Sequence, residues 1–377
     1  MTDASLERIQ QLQELMAQVD LQGIALNPGP DLSYFSGLSF HLMERPVLFI
    51  LPRDGSPLIV LPELEERKIE GFPGGMRPFL YNEDSSTWAN AFQSALSEAR
   101  LLEGKLGVMP RQLRLLEFTY IQQAAPDLEL ESAQSLIANL RMSKDKNEIA
   151  WMSEAVRIAE CALSAVLSAL KPGVTEKEIA SRLVGRLFLE GSDPALPFFP
   201  IVSFGENTAN PHASPGQREL REGDLVLVDW GAGYKGYYSD ITRVFAMGDI
   251  HPELEKVAQF VQQANRAGRA AVKPGALAKD VDRTVREVIS GAGYGEFFIH
   301  RTGHGLGREA HEEPYISAYE DTELIPGMTF TIEPGIYLPN RGGVRIEDDV
   351  LVTEDGCQSL TGLPRELTQL LLEDDFH

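Results

Sequence analysis

The sequence predicts an α+β protein of two domains, a smaller mixed α/β domain over residues 1–140 and a larger domain over residues 145–377. The length of 377 residues suits two domains, because a domain commonly takes about 150 residues. Helical and strand patterns alternate through the first part of the chain, until the polar run 143–148 opens a long helical pattern. After this run, a pattern of two helices followed by an acidic hairpin occurs twice.

The first domain is predicted from short apolar segments bounded by proline and glycine. Residues 5–18 carry apolar side chains at helical spacing, which predicts an amphipathic first helix. Short apolar runs with strand character follow, and two longer patterns predict further helices. The predicted strands are 23–26, 47–51, 58–61 and 106–109, and the predicted helices are 85–102 and 111–124.

The second domain contains a near-repeat. Two Lys-Pro-Gly sequences, at 171–173 and 273–275, each end one helical pattern and precede another. Asp229 lies 58 residues after the first of these lysines, and Glu333 lies 60 residues after the second. The similar spacing predicts two pseudo-symmetric halves that close around one site. Two unrelated helix ends are the alternative, although they do not explain the matching distance to an acidic residue.

Five side chains of the metal-binding type are spread over the second domain: Asp229, Asp240, His304, Glu333 and Glu347. Four carboxylates and one imidazole form an oxygen-rich set that suits two hard or borderline divalent ions sharing bridging carboxylates. The histidine lies in a segment with three glycines, which let the backbone turn tightly and bring the imidazole near other groups. One such acidic residue would be an ordinary surface charge, but the whole set predicts a metal centre.

Strand patterning around the two aspartates predicts a hairpin with its turn centred on Tyr234 and Lys235. In this register the two aspartates lie directly opposite each other, with Cβ atoms about 4.5–5.5 Å apart. A second hairpin, centred on Asn340, places the two glutamates opposite each other in the same way. Because like charges in this position destabilise a sheet, both hairpins predict a cation between their carboxylates.

Several segments of the second domain closely resemble the prolidase and aminopeptidase P family. In chain order they are V-D-W-G-A-G-Y-K-G-Y-Y-S-D-I-T-R, T-G-H-G-L-G, H-E-E-P, T-I-E-P-G-I-Y and G-V-R-I-E-D-D-V. The resemblance is strong over roughly residues 145–365 and more diffuse over the first domain. It implies a C-terminal pita-bread catalytic domain, of the fold shared with methionine aminopeptidase and creatinase, preceded by a creatinase-like N-terminal domain. It also implies a metallopeptidase that cleaves before proline.

The resemblance gives each member of the metal-binding set a role. Asp229 is implied to bind one ion, while His304 and Glu333 bind the other. Asp240 and Glu347 are implied to bridge both ions. A carboxylate-rich site with one histidine accepts manganese, cobalt or zinc, so the residue types leave the metal open.

Further residues resemble the catalytic groups of the family. Glu333 is similar to the proton shuttle, which takes a proton from water and passes it toward the leaving amine. His212 and His311 are similar to the histidines that hydrogen-bond the substrate carbonyl and the tetrahedral oxygens. Arg345 is expected to pair with the ligand carboxylates and hold their geometry, with an ordinary cross-strand charge pair as the alternative.

The sequence defines the substrate less closely. Many prolidases carry an arginine four residues after the second catalytic histidine, where it binds the carboxylate of the dipeptide, and this chain has Tyr315 there. A compensating cation could come from His41 or Arg45, in a segment that resembles a lid loop projected into a partner's site. This resemblance implies a homodimer, and a plain surface loop is the alternative.

The predicted function is therefore a dinuclear-metal-dependent Xaa-Pro dipeptidase that acts on short proline-containing peptides. An aminopeptidase P acting on longer Xaa-Pro peptides is the alternative. A creatinase-like enzyme, or a non-catalytic peptide-binding module on the same fold, would be expected to lose metal ligands, and this chain has all five.

Composition limits the partners and the compartment. The net charge of −22 argues against nucleic acid and anionic membrane surfaces as partners. No apolar run approaches the roughly 18 residues that a membrane-spanning helix needs. The two cysteines are too few for a disulfide framework, and the first residues lack the features of an export signal. We therefore expect a cytoplasmic protein.

Overall fold

The computed structural model describes residues 3–72 and 74–370, so the last residues of the predicted second domain, 371–377, lie outside the described residues. The chain divides into two compact units, Met1–Arg141 and Met142–His377. This division falls at the polar segment from which the sequence analysis placed the domain boundary. Among the described residues, no helix has both the length and the apolar character needed to cross a membrane.

The first unit is built on one mixed sheet with the strand order β4-β3-β2-β1-β5-β6. Its strands alternate between two cores, because successive strand residues face opposite sides. Phe49 and Leu51 pack with the first two helices, whereas Leu48 and Ile50 pack with the third and fourth. The helices are α1 (Asp3–Gln18), α2 (Pro30–Ser36), α3 (Trp88–Glu98), α4 (Leu115–Ala124) and α5 (Gln134–Met142). The strands are β1 (Gly23–Leu26), β2 (Leu48–Pro52), β3 (Leu58–Pro62), β4 (Arg77–Tyr81), β5 (Glu103–Val108) and β6 (Asp127–Ser132).

The four strands predicted for this unit correspond to β1, β2, β3 and β5, and the sequence analysis missed β4 and β6. These two strands form the edges of the sheet, and most of their residues are exposed or half-buried. They therefore lack the continuous apolar run that identifies the central strands. Helices α3 and α4 begin later than predicted, at Trp88 and Leu115.

The second unit begins with a capped helix, in which Asp145 accepts hydrogen bonds from the first turn and Glu148 bonds back to the cap. The helices of this unit are α6 (Lys146–Val166), α7 (Glu176–Leu189), α8 (Pro252–Ala271) and α9 (Ala278–Gly291). The strands before α9 are β7 (Ile201–Phe204), β8 (Leu225–Trp230), β9 (Gly233–Tyr234), β10 (Tyr237–Tyr238) and β11 (Ile241–Met247). The strands after α9 are β12 (Gly303–Gly305), β13 (Glu312–Ile316), β14 (Thr329–Ile332), β15 (Gly335–Leu338), β16 (Gly342–Arg345), β17 (Asp348–Val352), β18 (Cys357–Ser359) and β19 (Thr368–Leu370).

Two similar halves make up this unit, as the near-repeat predicts. One sheet has the order β19-β11-β8-β7, and the other has the order β13-β12-β14-β17-β18. The turns that follow the two Lys-Pro-Gly helix ends make equivalent backbone hydrogen bonds. The Gly173 amide donates to the Leu220 carbonyl at 2.9 Å, and the Gly275 amide donates to the Leu324 carbonyl at 2.9 Å. Matching bonds at matching positions disfavour two unrelated helix ends.

The predicted register of the first acidic hairpin is wrong by two residues. Lys235 and Gly236 both have positive φ, so they form the turn, and Tyr234 pairs with Tyr237. The partner of Asp229 is consequently Thr242, and Asp240 is its diagonal neighbour rather than its direct partner. Because a shift of two residues keeps every side chain on its face, both aspartates still face the same side.

The predicted register of the second acidic hairpin is confirmed. Gly335 pairs with Arg345, and on the other side Ile332 pairs with Asp348. The same register therefore continues on both sides of the two glutamates, which lie opposite each other as the sequence analysis expects.

Candidate metal centre

The side chains predicted to bind metal line one cavity of the second unit, with a volume of about 600 Å³. Both halves of the unit contribute to its wall. The predicted site residues that line it are Asp229, Asp240, His304, Glu333, Glu347, His212, His311 and Arg345. Residues separated by more than a hundred positions in the chain are thus brought to one place.

Three of the predicted ligands form a compact group. One ligand atom from each of Asp240, His304 and Glu347 lies within 4.8 Å of the others, and all three residues are buried. His304 Nε2 lies 3.7 Å from an Asp240 oxygen and 3.4 Å from an oxygen of Glu333. These separations fit side chains that share a cation.

The ionised form of the carboxylates in this cavity is unfavourable. Burial, followed by repulsion from Glu347 and Asp229, raises the pKa of Asp240 well above its usual range. Burial and the charges of Glu333 and Asp229 do the same to the pKa of Glu347. Burial also raises the pKa of Glu333 to about 7. Buried carboxylates this close stay ionised only with a cation among them.

His304 presents a lone pair to these carboxylates. Burial lowers its pKa well below the usual range, so the ring is neutral. Its Nδ1 lies 3.2 Å from the carbonyl oxygen of Gly305 and donates the hydrogen bond between them. Nε2 is then unprotonated and faces the oxygens of Asp240 and Glu333. A lone pair that faces carboxylate oxygens is the arrangement of a metal-binding imidazole.

Asp229 is the fourth carboxylate of the cavity, and it is held by Arg345. The Arg345 guanidinium donates to one oxygen of Asp229, and both residues are buried. The other oxygen of Asp229 is buried and has no hydrogen-bond partner among the described residues. This oxygen is therefore available to a ligand.

Arg345 also contacts residues of both halves of the unit. Its Nε donates to the Thr242 hydroxyl at 3.1 Å, and that hydroxyl donates to a Glu347 oxygen at 2.6 Å. Its Nη1 donates to the Tyr337 hydroxyl at 3.0 Å. The network orients Glu347 and Asp229 at the same time.

The two histidines predicted to contact substrate lie at the cavity and are exposed. The His311 ring meets the His304 ring edge-to-face, with centroids 4.1 Å apart. The loop that carries His311 is held by Glu312, which accepts a 2.6 Å bond from the buried Lys144 ammonium. His212 precedes the strand of Asp229 and faces the same cavity from the first half.

Several residues that bear on the site were not predicted from the sequence. Thr242 and Tyr337 both lie inside the segments that carry the family resemblance. Their closeness in the sequence to Asp240 and Glu333 could have indicated that they lie near the site. His300 and Arg301 also line the cavity. These two residues reach the cavity because of how distant segments pack, and a local sequence pattern does not show such packing.

The residues predicted to bind the substrate carboxylate are placed differently. The Tyr315 ring is covered by the Arg301 guanidinium, whose carbon lies 4.4 Å from the ring centroid. His41 and Arg45 belong to the first unit, where Arg45 pairs with Glu83 at 2.8 Å. Their action on the site of a partner stays a prediction.

Comparison with known proteins identifies the family of the chain. Residues 150–354 match the model of metallopeptidase family M24, and residues 8–143 match that of the creatinase/prolidase N-terminal domain. The probable dipeptidase PepE of Mycobacterium bovis is 37% identical over 355 residues, which cover 93% of this chain and 92% of that protein. The chain therefore belongs to metallopeptidase family M24, and the predicted family and fold are confirmed.

Solved structures show the same architecture over nearly the whole chain. A dipeptidase from Pyrococcus horikoshii aligns with a TM-score of 0.91 and 39% identity, covering 96% of this chain and all of that one (100%). A prolidase from Thermococcus sibiricus aligns with a TM-score of 0.92 and 36% identity, covering 98% and 100%. Both domains of this chain thus have counterparts in these enzymes.

Proposed function

We propose that the chain is a prolidase-like dipeptidase, which hydrolyses the peptide bond before proline in dipeptides or short peptides with the help of two divalent ions. The observation that carries this proposal is the set of three buried carboxylates, one half-buried carboxylate and one neutral histidine around a single cavity. The similarity to enzymes named dipeptidase and prolidase supports it.

The residues fit a dinuclear centre. Asp240 and Glu347 would bridge two ions, since their ligand atoms lie in the compact group with His304. Asp229 would complete one ion through its unpartnered oxygen, and His304 and Glu333 would complete the other. When bound, such a pair polarises a carbonyl and lowers the pKa of a water molecule. The oxygen-rich set suits manganese, cobalt or zinc.

The protein's own groups would handle the proton and the oxyanion. Glu333 would accept a proton from water and donate it to the amine that leaves, because its carboxylate lies within the cavity beside His304. His212 and His311 would donate hydrogen bonds to the substrate carbonyl and to the oxygens that develop charge. Arg345 would hold Asp229 in place.

The cavity suits a small peptide. Its volume of about 600 Å³ lies within the range typical of small-molecule sites. Pro197, Phe198 and Phe199 provide an apolar wall, which matches a proline ring or an apolar side chain. Tyr315 in place of the expected arginine favours one second candidate, an aminopeptidase P that accepts longer Xaa-Pro peptides.

The homodimer and the cytoplasmic location remain parts of the proposal. The resemblance of 41–45 to a lid loop supports the dimer, and the two cysteines, neither of them in a disulfide, support a reducing compartment. Sedimentation of the purified protein tests the dimer. A fully active monomer at assay concentration would contradict it.

The experiment that tests the function compares hydrolysis of Ala-Pro with hydrolysis of a longer Ala-Pro peptide, before and after metal removal. We expect Ala-Pro cleavage that chelation abolishes and added manganese, cobalt or zinc restores. Glu347→Ala should abolish turnover, whereas the exposed Glu354→Ala should not. Full activity with metal content near zero would refute the metal role, and cleavage of the longer peptide alone would favour the aminopeptidase.

A further inference from the structure

Arg301 is a cation in the cavity that the predicted machinery does not use. It lines the same cavity as the metal-binding set, directly after His300. Among the described residues, no carboxylate forms an ion pair with its guanidinium, in contrast to Arg345, which is bound to Asp229. Arg345 also donates hydrogen bonds to Thr242 and Tyr337. The charge of Arg301 is therefore available to something that enters the cavity.

The guanidinium of Arg301 is held in a defined place. Its carbon lies 4.4 Å from the centroid of the Tyr315 ring, which gives it a flat surface to stack on. Strand pairing fixes this contact, because His304 pairs with Tyr315 and the Thr302 amide donates to the Ile316 carbonyl at 2.9 Å. The cation thus lies directly before β12, the strand that carries the predicted metal ligand His304.

The backbone around Arg301 is also tied on its other side. The His300 ring lies 2.8 Å from both the Arg301 carbonyl and the Tyr337 hydroxyl. The Thr302 hydroxyl donates to the buried Asp282 at 2.8 Å. These hydrogen bonds hold the backbone of Arg301 in place. A side chain on a preorganised backbone loses less entropy when it binds a ligand.

The positive charge of Arg301 influences the pKa values of the predicted catalytic groups. Its positive charge contributes to the lowered pKa of His304 and of His311, after the larger effect of burial. It also opposes the rise in the pKa of Glu333. An anion bound to Arg301 would lie in the same cavity as these groups, because all of them line it.

We propose that Arg301 binds the free C-terminal carboxylate of the substrate, with Tyr315 as the surface that orients its guanidinium. This inference rests on the proposed function, in which a dipeptide places a carboxylate immediately beyond the residue after the scissile bond. A guanidinium binds a carboxylate through two parallel hydrogen bonds. The cation that other prolidases place at the position of Tyr315 would here come from across the strand pair.

The test compares each dipeptide with its amide, which lacks the negative charge. For Arg301→Gln we expect kcat/KM for Ala-Pro to fall roughly ten- to 150-fold, mainly through KM, because charge-assisted hydrogen bonds contribute about 1.5–3 kcal/mol. Ala-Pro amide should change less than about threefold, since a neutral amide gains little from the guanidinium. Arg301→Lys should recover part of the loss, because it restores the charge without the planar fork.

Arg308→Gln is the matched control. Arg308 also stacks on a tyrosine, with its guanidinium carbon 5.0 Å from the Tyr237 centroid, and it does not line the cavity. We expect it to leave the ratio between dipeptide and amide unchanged. Equal losses on Ala-Pro and its amide in Arg301→Gln, or no loss on either, would overturn the proposal.

The outcomes also separate this proposal from the proposed function. Ala-Leu and its amide are assayed beside the proline substrates. A wild-type enzyme that cleaves Ala-Leu and not Ala-Pro would refute proline specificity, and the loss on Ala-Leu relative to its amide would still decide the role of Arg301. Calorimetric binding of a reduced Ala-Pro analogue, in which CH₂ replaces the scissile carbonyl, gives a readout without turnover. Equal binding of this analogue and its amide by the wild type would overturn the assignment to Arg301.

Discussion

The two acidic hairpins of the second unit reach the same end by different geometry. In the first hairpin, the aspartates are diagonal neighbours, because the turn consists of Lys235 and Gly236. In the second, the glutamates lie opposite each other across a loop around Asn340. The first half therefore uses the shorter aspartates as diagonal neighbours. The second half uses the longer glutamates as direct cross-strand partners. The two halves therefore bring their carboxylates to one cavity through different local registers.

The halves also differ in how their carboxylates are held, and each depends on the other. Glu347 of the second half accepts its hydrogen bond from Thr242 of the first. Asp229 of the first half accepts from Arg345 of the second. A pseudo-symmetric pair of hairpins therefore makes one site that neither half could orient alone. Substitutions in one half should consequently alter ligands in the other.

The largest effect is expected from Arg345→Gln. This change leaves Asp229 buried without its cation, and breaking a buried ion pair costs roughly 3–5 kcal/mol. We expect a clear fall in the melting temperature and a loss of activity of more than about 100-fold. The exposed Arg341→Gln, which breaks a surface pair with Glu253, is the control. Similar stability and activity in both variants would contradict the link between the halves.

A smaller effect is expected from Thr242→Val, which keeps the shape of the side chain and removes its hydroxyl. Glu347 loses a donor and Arg345 loses an acceptor. We expect the metal affinity and kcat to fall by roughly tenfold. Thr353→Val, at an exposed bond to Asp355, should change neither quantity. Unchanged metal affinity in Thr242→Val would show that the hydroxyl does not orient Glu347.

The pH dependence of the stability of the metal-free protein should distinguish the contribution of the carboxylates from that of the histidines. Because the raised carboxyl pKa values, about 7 for Glu333, let the folded state hold more protons, stability falls as pH rises through 7. The lowered pKa values of His300 and His304 act in the opposite sense, but only below about pH 6.5.

Between pH 6.5 and 8.5 we therefore expect the melting temperature of the metal-free protein to fall by several degrees. Saturating metal should suppress the fall, and Glu333→Gln should lessen it, because an amide cannot ionise. Thermal unfolding followed by calorimetry measures these shifts. A metal-free protein whose stability rises over this interval would contradict the account.

Much of this site follows from the sequence, and the exceptions have physical causes. The predicted register of the second hairpin is confirmed, and its centre, Asn340, takes the positive φ that asparagine tolerates. The register of the first was wrong because Lys235, a residue with no special preference for positive φ, takes that conformation beside Gly236. Residue types alone could not show this choice.

Other features depended on contacts between distant segments. The edge strands β4 and β6 expose much of their surface, so their patterns lack a continuous apolar run. The stacking joins Arg301, which precedes β12, to Tyr315 of β13, and only the fold brings the cation to the cavity. The sequence showed that Tyr315 departs from the arginine of many prolidases, but it could not show that Arg301 lies against Tyr315.

The central claim is that both halves together form one dinuclear centre, and the metal content of purified variants tests it most directly. The wild type should hold two divalent ions per chain, as measured by inductively coupled plasma mass spectrometry. Asp240→Ala in the first half and Glu347→Ala in the second should each lose both ions, because each removes a carboxylate that we propose bridges them. A wild type that holds a single ion, or an Asp240→Ala variant that keeps two, would contradict the account.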